Sequence, residues 1–127
     1  MKVLKTLSYS FLIAIITSFV ACTSGGESLE TNLLYGHWDI KSAQRDGHPT
    51  ETLTNTFFEF KEEGKMITNF NLEGVEVSGD FEIEGLNITQ KGEPEINYSV
   101  EKLEEDKLVL LTKLMDYSFT LNLKKKD

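Results

Sequence analysis

The single cysteine is the residue of this sequence with the most specific chemical setting. Lys2 and Lys5 come first and are followed by an almost wholly apolar run, Leu7 to Val20. One alanine separates this run from Cys22. A positive start, an apolar core of this length and a small residue at its end are typical of a secretory signal peptide, and the core is short for a membrane span. Because the sequence has no second cysteine, a disulfide framework and a cysteine-based metal site are excluded.

The residues around Cys22 resemble a bacterial lipobox. In residues 19–22 (FVAC) the cysteine occupies the position that carries diacylglycerol once signal peptidase has cut before it. The resemblance implies a lipoprotein signal peptide over residues 1–21 and fatty acyl chains, palmitate among them, on Cys22. Residues 22–32 then form the lipidated cysteine and a flexible tether, because they are small and polar. Thr23 stands where an Asp would resemble an inner-membrane retention signal, so the resemblance implies the outer membrane.

Two other interpretations of this segment stay open, a cleavable signal peptide whose boundary happens to contain a thiol and an uncleaved anchor. A lone exported thiol is reactive, and acylation removes that reactivity. Acyl chains anchor durably, at about 0.8 kcal/mol per buried methylene. We therefore expect a lipid anchor in the cell envelope to attach the protein to its membrane.

The charge balance argues against nucleic acid as a partner. The 13 basic and 21 acidic residues give a formal charge of −8. The first 21 residues hold two of the lysines and no acid, so the remainder carries 11 basic and 21 acidic side chains. Nucleic-acid binding requires clustered Lys and Arg, which this balance does not provide. The length suits one domain, and 39% hydrophobic residues suffice for a packed core.

The remaining side chains do not form a recognisable catalytic or metal-binding pattern. His37 and His48 are the two histidines, too few for a catalytic zinc site without carboxylates of unknown placement. The acidic clusters at residues 62–63, 104–106 and 93 with 95 lack the oxygen spacing and central glycine of a calcium loop and are expected to form a solvated rim. No Ser/His/Asp arrangement or phosphate-binding loop occurs. We expect no cofactor, no metal and no enzymatic activity.

The mature domain reads as a series of short strands. Apolar and polar residues alternate in segments such as 96–100 (INYSV), whereas no stretch after Leu33 sustains a helical period. The connections between the predicted strands carry turn residues and are short. The exception in length is the first connection, Arg45 to Leu53. We predict eight strands, at 34–44, 54–60, 65–71, 74–83, 86–90, 95–103, 107–112 and 117–124. Without helices to cover its edges, such a sheet is best closed, so residues 33–127 are predicted to form an all-β, eight-stranded antiparallel up-and-down barrel.

The start of the first predicted strand resembles the lipocalins. Residues 34–38 (LYGHW) contain the Gly-x-Trp motif of that family in Gly36 and Trp38. With the strand pattern and the lipobox, the whole mature domain is similar to the small lipocalin-like lipoproteins of bacteria. In lipocalins the tryptophan plugs the closed end of the barrel and a basic residue after the last strand packs across it. The resemblance therefore implies this role for Trp38 together with Lys124 or Lys125.

An eight-stranded barrel is just wide enough to be filled by its own side chains or to hold one small ligand. The short strands and many phenylalanines favour a filled core. The predicted inward residues are Trp38, Ile40, Phe58, Phe60, Met66, Phe70, Val77, Phe81, Ile83, Ile96, Tyr98, Val100, Leu108, Leu110, Tyr117, Phe119 and Leu121. The family resemblance implies instead a pocket for a small hydrophobic molecule, with Phe58, Met66, Phe70 and Tyr98 as its lining.

Two functions follow from these expectations. One is a monomeric, membrane-tethered binding protein for a small hydrophobic ligand. The other is an interaction module that docks an envelope partner through its acidic surface or through the first loop, Arg45 to Leu53. A void lined by the aromatic residues and open near that loop favours the first, and a packed interior favours the second.

Replacement of the cysteine tests the lipid anchor. Cys22→Ser removes the acylated atom, so membrane retention after export should be lost. Fractionation of cells that express the full chain measures this. A variant that is cleaved yet still partitions with the membrane would contradict lipidation.

Overall fold

The structure, a computed structural model, describes residues 28–126. The predicted signal peptide, the lipidation site Cys22 and the first part of the tether lie outside these residues. Within the described range, no helix has the length and apolar character needed to cross a membrane.

The described chain consists of one helical turn followed by short strands. The helix α1 spans Thr31–Leu34. The strands are β1 (Gly36–Arg45), β2 (His48–Thr50), β3 (Phe57–Phe60), β4 (Lys65–Thr68), β5 (Val77–Glu84), β6 (Asn87–Gln90), β7 (Ile96–Leu103), β8 (Lys107–Leu114) and β9 (Tyr117–Lys125).

Eight of the strands form one closed antiparallel barrel. From β3 to β9 each strand pairs with the next, β1 pairs with β3, and β1 pairs again with β9 from Trp38 to Arg45. This closure leaves no long free edge. The prediction of an eight-stranded up-and-down barrel is confirmed.

The ninth strand, β2, was missed by the sequence analysis. It forms a hairpin on the second half of β1, with Arg45 opposite His48. The two connecting residues, Asp46 and Gly47, have φ of 53° and 83°. Positive φ at both positions is what a tight type I′ hairpin turn requires, and Asp-Gly is among its preferred sequences. The strand is too short to show an alternating pattern, so this turn was the one available signal.

The core is the filled interior of the barrel. Alternate residues of the strands point inward, as the burial of Ile96, Tyr98 and Val100 along β7 shows. The buried hydrophobic residues in one cluster are Leu34, Trp38, Ala43, Phe58, Phe60, Met66, Phe70, Phe81, Ile88, Ile96, Tyr98, Val100, Leu108, Leu110, Leu121 and Leu123. Most of the predicted inward residues are among them.

The prediction of an inward-facing side chain was wrong for two residues. Val77 and Tyr117 are 43% and 44% exposed. Each is the first residue of its strand, β5 or β9, at the end of the barrel opposite Trp38. Among residues 28–126 no further layer of side chains buries these two positions, so an alternating pattern extended to the strand terminus overestimates burial there.

The end of the barrel at which the chain enters is closed by Trp38. Its side chain is fully buried, and its indole Nε1 donates a hydrogen bond of 2.8 Å to the carbonyl oxygen of Leu34 in α1. The Nζ of Lys125 lies 5.0 Å from the centre of the indole ring and donates to the carbonyl oxygen of Leu33 at 3.2 Å. Gly36 has φ of 132°, and a Cβ there would lie 2.6 Å from Cε of Lys125, so only glycine fits beneath this lysine.

Of the two lysines considered for this position, the neighbouring Lys124 is exposed on the outer side of β9. The difference follows from the pleat, since adjacent residues of a strand point to opposite faces.

Lys125→Met should lower the free energy of unfolding by about 1–2 kcal/mol, because it removes a cation over an aromatic ring and one hydrogen bond. Lys124→Met makes the same chemical change one residue away and should stay within about 0.5 kcal/mol of the parent. Denaturant titration of both full-length variants measures the difference. Equal effects would contradict a structural role for the Lys125–Trp38 contact.

Candidate functional site

The other end of the barrel is open and is shaped by four connections. These are residues 46–56 between β1 and β3, 69–76 between β4 and β5, 91–95 between β6 and β7, and 115–116 between β8 and β9. They are longer on average than the turns at the closed end, so they provide the walls of a site above the packed core.

Two asparagines fix the connection between β4 and β5. The side chain of Asn69 accepts a hydrogen bond from the backbone N–H of Phe57 at 3.0 Å and donates to the carbonyl of Asn55 at 2.9 Å. The side chain of Asn71 donates to the carbonyl of Val75 at 2.7 Å and accepts from its N–H at 3.2 Å. Such side chain–backbone bonds hold a loop in place of ladder hydrogen bonds. This wall of the open end is therefore preformed.

A cavity of about 450 Å³ lies between this connection and the one that joins β6 to β7. Its apolar lining includes Met66, Ile96 and Leu114. Met66 and Ile96 belong to the buried core, whereas Leu114 is half-buried. The cavity therefore rests on the top layer of the core rather than inside the barrel.

The cavity exists because β5 is longer than its neighbours. Its first half, Val77–Asp80, pairs with β4, and its second half, Phe81–Glu84, pairs with β6. Since β6 ends at Gln90, the first half of β5 has no strand on that side. The chain instead turns away through residues 91–95, which contain Gly and Pro. The space left in the sheet becomes one side of the cavity.

One buried polar pair lies at the base of the cavity. The hydroxyl of Tyr98 donates a hydrogen bond of 2.6 Å to Oε1 of Gln90, which lines the cavity. Burial raises the pKa of the Tyr98 phenol, so the hydroxyl stays protonated and remains a donor. Because the amide oxygen of Gln90 already accepts this hydrogen bond, its amide NH₂ is the group that could donate to an acceptor atom of a ligand. The lining also contains the charged residues Glu73, Lys91 and Glu93. An apolar base with a few polar groups around it is typical of small-molecule sites.

A second cleft, of about 520 Å³, lies under the first long connection. Its apolar lining includes Leu53, Phe70, Tyr117 and Phe119, and it shares Leu114 with the cavity. The two spaces also share Asn71, Leu72 and Glu73, so they are adjacent at the open end.

The four predicted ligand-lining residues lie in different places. Phe58 and Tyr98 are sealed in the core, where their rings meet edge to face with centroids 5.4 Å apart. Met66 lines the cavity, and Phe70 lines the second cleft. The interior is filled with buried side chains, and neither the cavity nor the second cleft is lined by these four residues together.

Several lining residues were missed as site residues by the sequence analysis. Gln90 and Leu114 were not singled out, although each is the last residue of its strand. The Gly-Glu-Pro sequence after Gln90 was the available signal, since it shows that β6 cannot continue along β5.

The two histidines lie away from the cavity lining. Nε2 of His37 is 3.0 Å from Oδ1 of Asp39, and its ring stacks on Phe57 with centroids 5.0 Å apart. Nδ1 of His48 is 3.1 Å from the carbonyl oxygen of Asp46. Residues 28–126 hold no group of three or more His, Cys, Asp or Glu side chains placed to bind a metal ion.

Exposed apolar side chains concentrate at the open end. The large hydrophobic residues that are most exposed among those described are Leu72, Val75, Val77, Met115 and Tyr117. All five lie on the β4–β5 and β8–β9 connections or at the first residue of the strand that follows. Clustered exposed apolar side chains of this kind are typical of interaction surfaces.

The strand order, the closure and the tryptophan plug define a lipocalin-like barrel, as predicted. A lipocalin-like protein from Bacteroides uniformis ATCC 8492 is similar in structure, with a TM-score of 0.56 and 17% sequence identity over 74% of this chain and 99% of that one. An uncharacterized protein from Bacteroides eggerthii DSM 20697 gives a TM-score of 0.55 and 16% identity over 72% and 98%. No protein-family model and no curated protein matches the sequence. At these identities the likeness establishes the fold.

Tyr98→Phe should lower the free energy of unfolding by about 1–3 kcal/mol, because it leaves the amide oxygen of Gln90 buried without a donor. Tyr117→Phe removes a hydroxyl from an exposed tyrosine at the same end and should change stability by less than about 0.5 kcal/mol. Thermal or denaturant unfolding of the two variants compares them. Equally small losses would contradict the importance of the buried pair.

Proposed function

We propose that this protein binds a small hydrophobic ligand in the open-end cavity. The cavity itself carries the proposal, because it combines a volume of about 450 Å³, an apolar base and the polar group of Gln90. Small-molecule sites have volumes of about 300–1,000 Å³ and a few polar groups that orient the ligand. The absence of enzymatic activity stays a prediction, as does the absence of a cofactor.

The packed interior leaves no room for a ligand inside the barrel, which by the criterion stated from the sequence favours docking, but it gives the cavity at the open end a rigid base. Phe58 contacts Phe60, Phe70 and Tyr98 with ring centroids 5.4–6.1 Å apart. A core of interlocked aromatic rings deforms little. The base of the cavity is therefore rigid before a ligand arrives, which lowers the entropy lost on binding.

We propose further that Cys22 tethers the barrel to the outer membrane. In support, the chain enters the barrel at its closed end, where Leu29 packs against the core. Ser28 and Leu29 lie beside Leu86 and Leu103, which belong to the same end. A tether that leads from there would direct the cavity away from the membrane surface.

A second candidate function is the docking of an envelope protein on the apolar rim. The five exposed hydrophobic residues at the open end favour it. This differs from the docking surface expected from the sequence, which was the acidic face or the first loop. The same experiment distinguishes the two functions, because a captured small molecule is expected for the first alone.

Native mass spectrometry of the full chain, exported and purified from a bacterial host, should show an extra mass that denaturation releases. Leu114→Gln places an amide in the cavity lining and should abolish this adduct. Leu103→Gln is the matched control, since Leu103 also packs half-buried against the core but lies at the closed end. Each change should cost about 1–2 kcal/mol of stability.

Loss of the adduct in both variants would mean that stability, and not the cavity, controls capture. A bare mass for the parent protein would favour the docking function.

A further inference from the structure

We propose that the ligand of the open-end cavity is an apolar molecule with a positively charged end, such as an alkylamine, rather than a fatty acid. This inference rests on the proposed function, since it specifies the class of ligand for the same cavity. Volume and apolar lining alone would suit either class. The charged side chains at the cavity entrance distinguish them.

Two carboxylates line the cavity from opposite sides. Glu73 belongs to the β4–β5 connection and Glu93 to the β6–β7 connection. Neither carboxylate forms an ion pair with any residue between 28 and 126. The backbone N–H of Glu73 donates to the side chain of Asn71 at 3.1 Å, so the position of this residue on its loop is fixed.

The lysine that lines the cavity does not offset these carboxylates. Nζ of Lys91 lies 3.4 Å from Oε1 of Glu82 and 3.6 Å from Oε2 of Glu95. The hydrogen bond and charge of Glu82, together with the charge of Glu95, raise the pKa of Lys91, so the ammonium stays protonated. Two acidic neighbours outside the lining offset its positive charge, which weakens its attraction for a ligand carboxylate.

The field at the entrance is therefore negative. Glu76, which is exposed between Val75 and Val77, adds to it, and the sequence after residue 21 carries ten more acidic than basic side chains. A cleft lined by one sign of charge concentrates ligands of the opposite sign. A carboxylate that entered would be repelled by Glu73 and Glu93, whereas an ammonium group would be attracted.

The geometry assigns a place to each part of the ligand. The apolar portion contacts Met66, Ile96 and Leu114 at the base, and the cation lies near Glu73 and Glu93 at the entrance. A neutral acceptor along the molecule, such as a hydroxyl, fits the amide NH₂ of Gln90.

Three probes with the same alkyl chain test the charge preference: decylammonium, 1-decanol and decanoate. The full chain is reconstituted in nanodiscs of phosphatidylcholine, a lipid without net charge. Methyl NMR of Met66, one of three methionines in the sequence, reports occupancy of the cavity. We expect decylammonium to bind about tenfold more tightly than decanoate, with the alcohol between them.

Salt provides an independent check on the same samples. Because raising the ionic strength from about 0.01 M to 0.1 M shortens the screening length from about 30 Å to 10 Å, the preference for the amine should shrink.

Paired variants locate the origin of the preference. The double variant Glu73→Gln with Glu93→Gln should bring the affinities of decylammonium and decanoate close together. Glu62→Gln with Glu105→Gln makes the same change in net charge on exposed turns at the closed end and should preserve the preference. All variants are measured in the same lipid, so differences in probe affinity among them reflect the substituted residues and not the membrane.

The outcomes separate this inference from the proposed function. If no probe shifts the Met66 methyl signal, the proposed function itself fails. If decanoate binds as tightly as decylammonium, the cavity is a binding site and the charge preference is wrong. If both double variants remove the preference equally, net charge and not the cavity selects the ligand, which also overturns the inference.

Discussion

Hydrogen bonding between β1 and β9 is the interaction on which the rest of the structure depends. Along one edge β1 pairs with the last strand, and along the other it is shared by β3 and β2. An eight-stranded sheet without this closure would expose two edges of unpaired backbone groups. Closure also brings the start and the end of the chain together, so that Gly36, Trp38 and Lys125 meet. The plug at the closed end is thus a product of the strand pairing.

The same closure explains why the cavity is at the mouth and not in the interior. A barrel of eight strands encloses little more than its own side chains, and six aromatic residues fill most of this one: Trp38, Phe58, Phe60, Phe70, Phe81 and Tyr98. Space appears where strands of unequal length part, beside the first half of β5. The lipocalin-like fold supplies the rigid wall, and the loops shape the space above it.

Sequence patterns predicted the fold better than the site. Alternation located all eight barrel strands, because a strand with one buried face has apolar and polar residues in alternating order. The predicted bounds of β3, β4 and β5 were each about three residues too long at the open end, where Asn69 and Asn71 hold the backbone with side chains. The cavity could not be predicted, since it depends on strand lengths and on the Gln90–Tyr98 pair across β6 and β7. Neither is a property of one segment alone.

The hydrogen bonds from Trp38 and Lys125 to α1 have a mechanical consequence. Both donors are on strands of the barrel, and both acceptors are carbonyls of the segment by which the chain enters it, those of Leu34 and Leu33. A pulling force on that segment is therefore carried first by these two bonds and then by β1 and β9, which are paired over seven residues of β9. The cavity lining lies at the far end of the molecule. Tension applied at the N-terminal side therefore acts on the plug, at the end of the barrel away from the cavity lining.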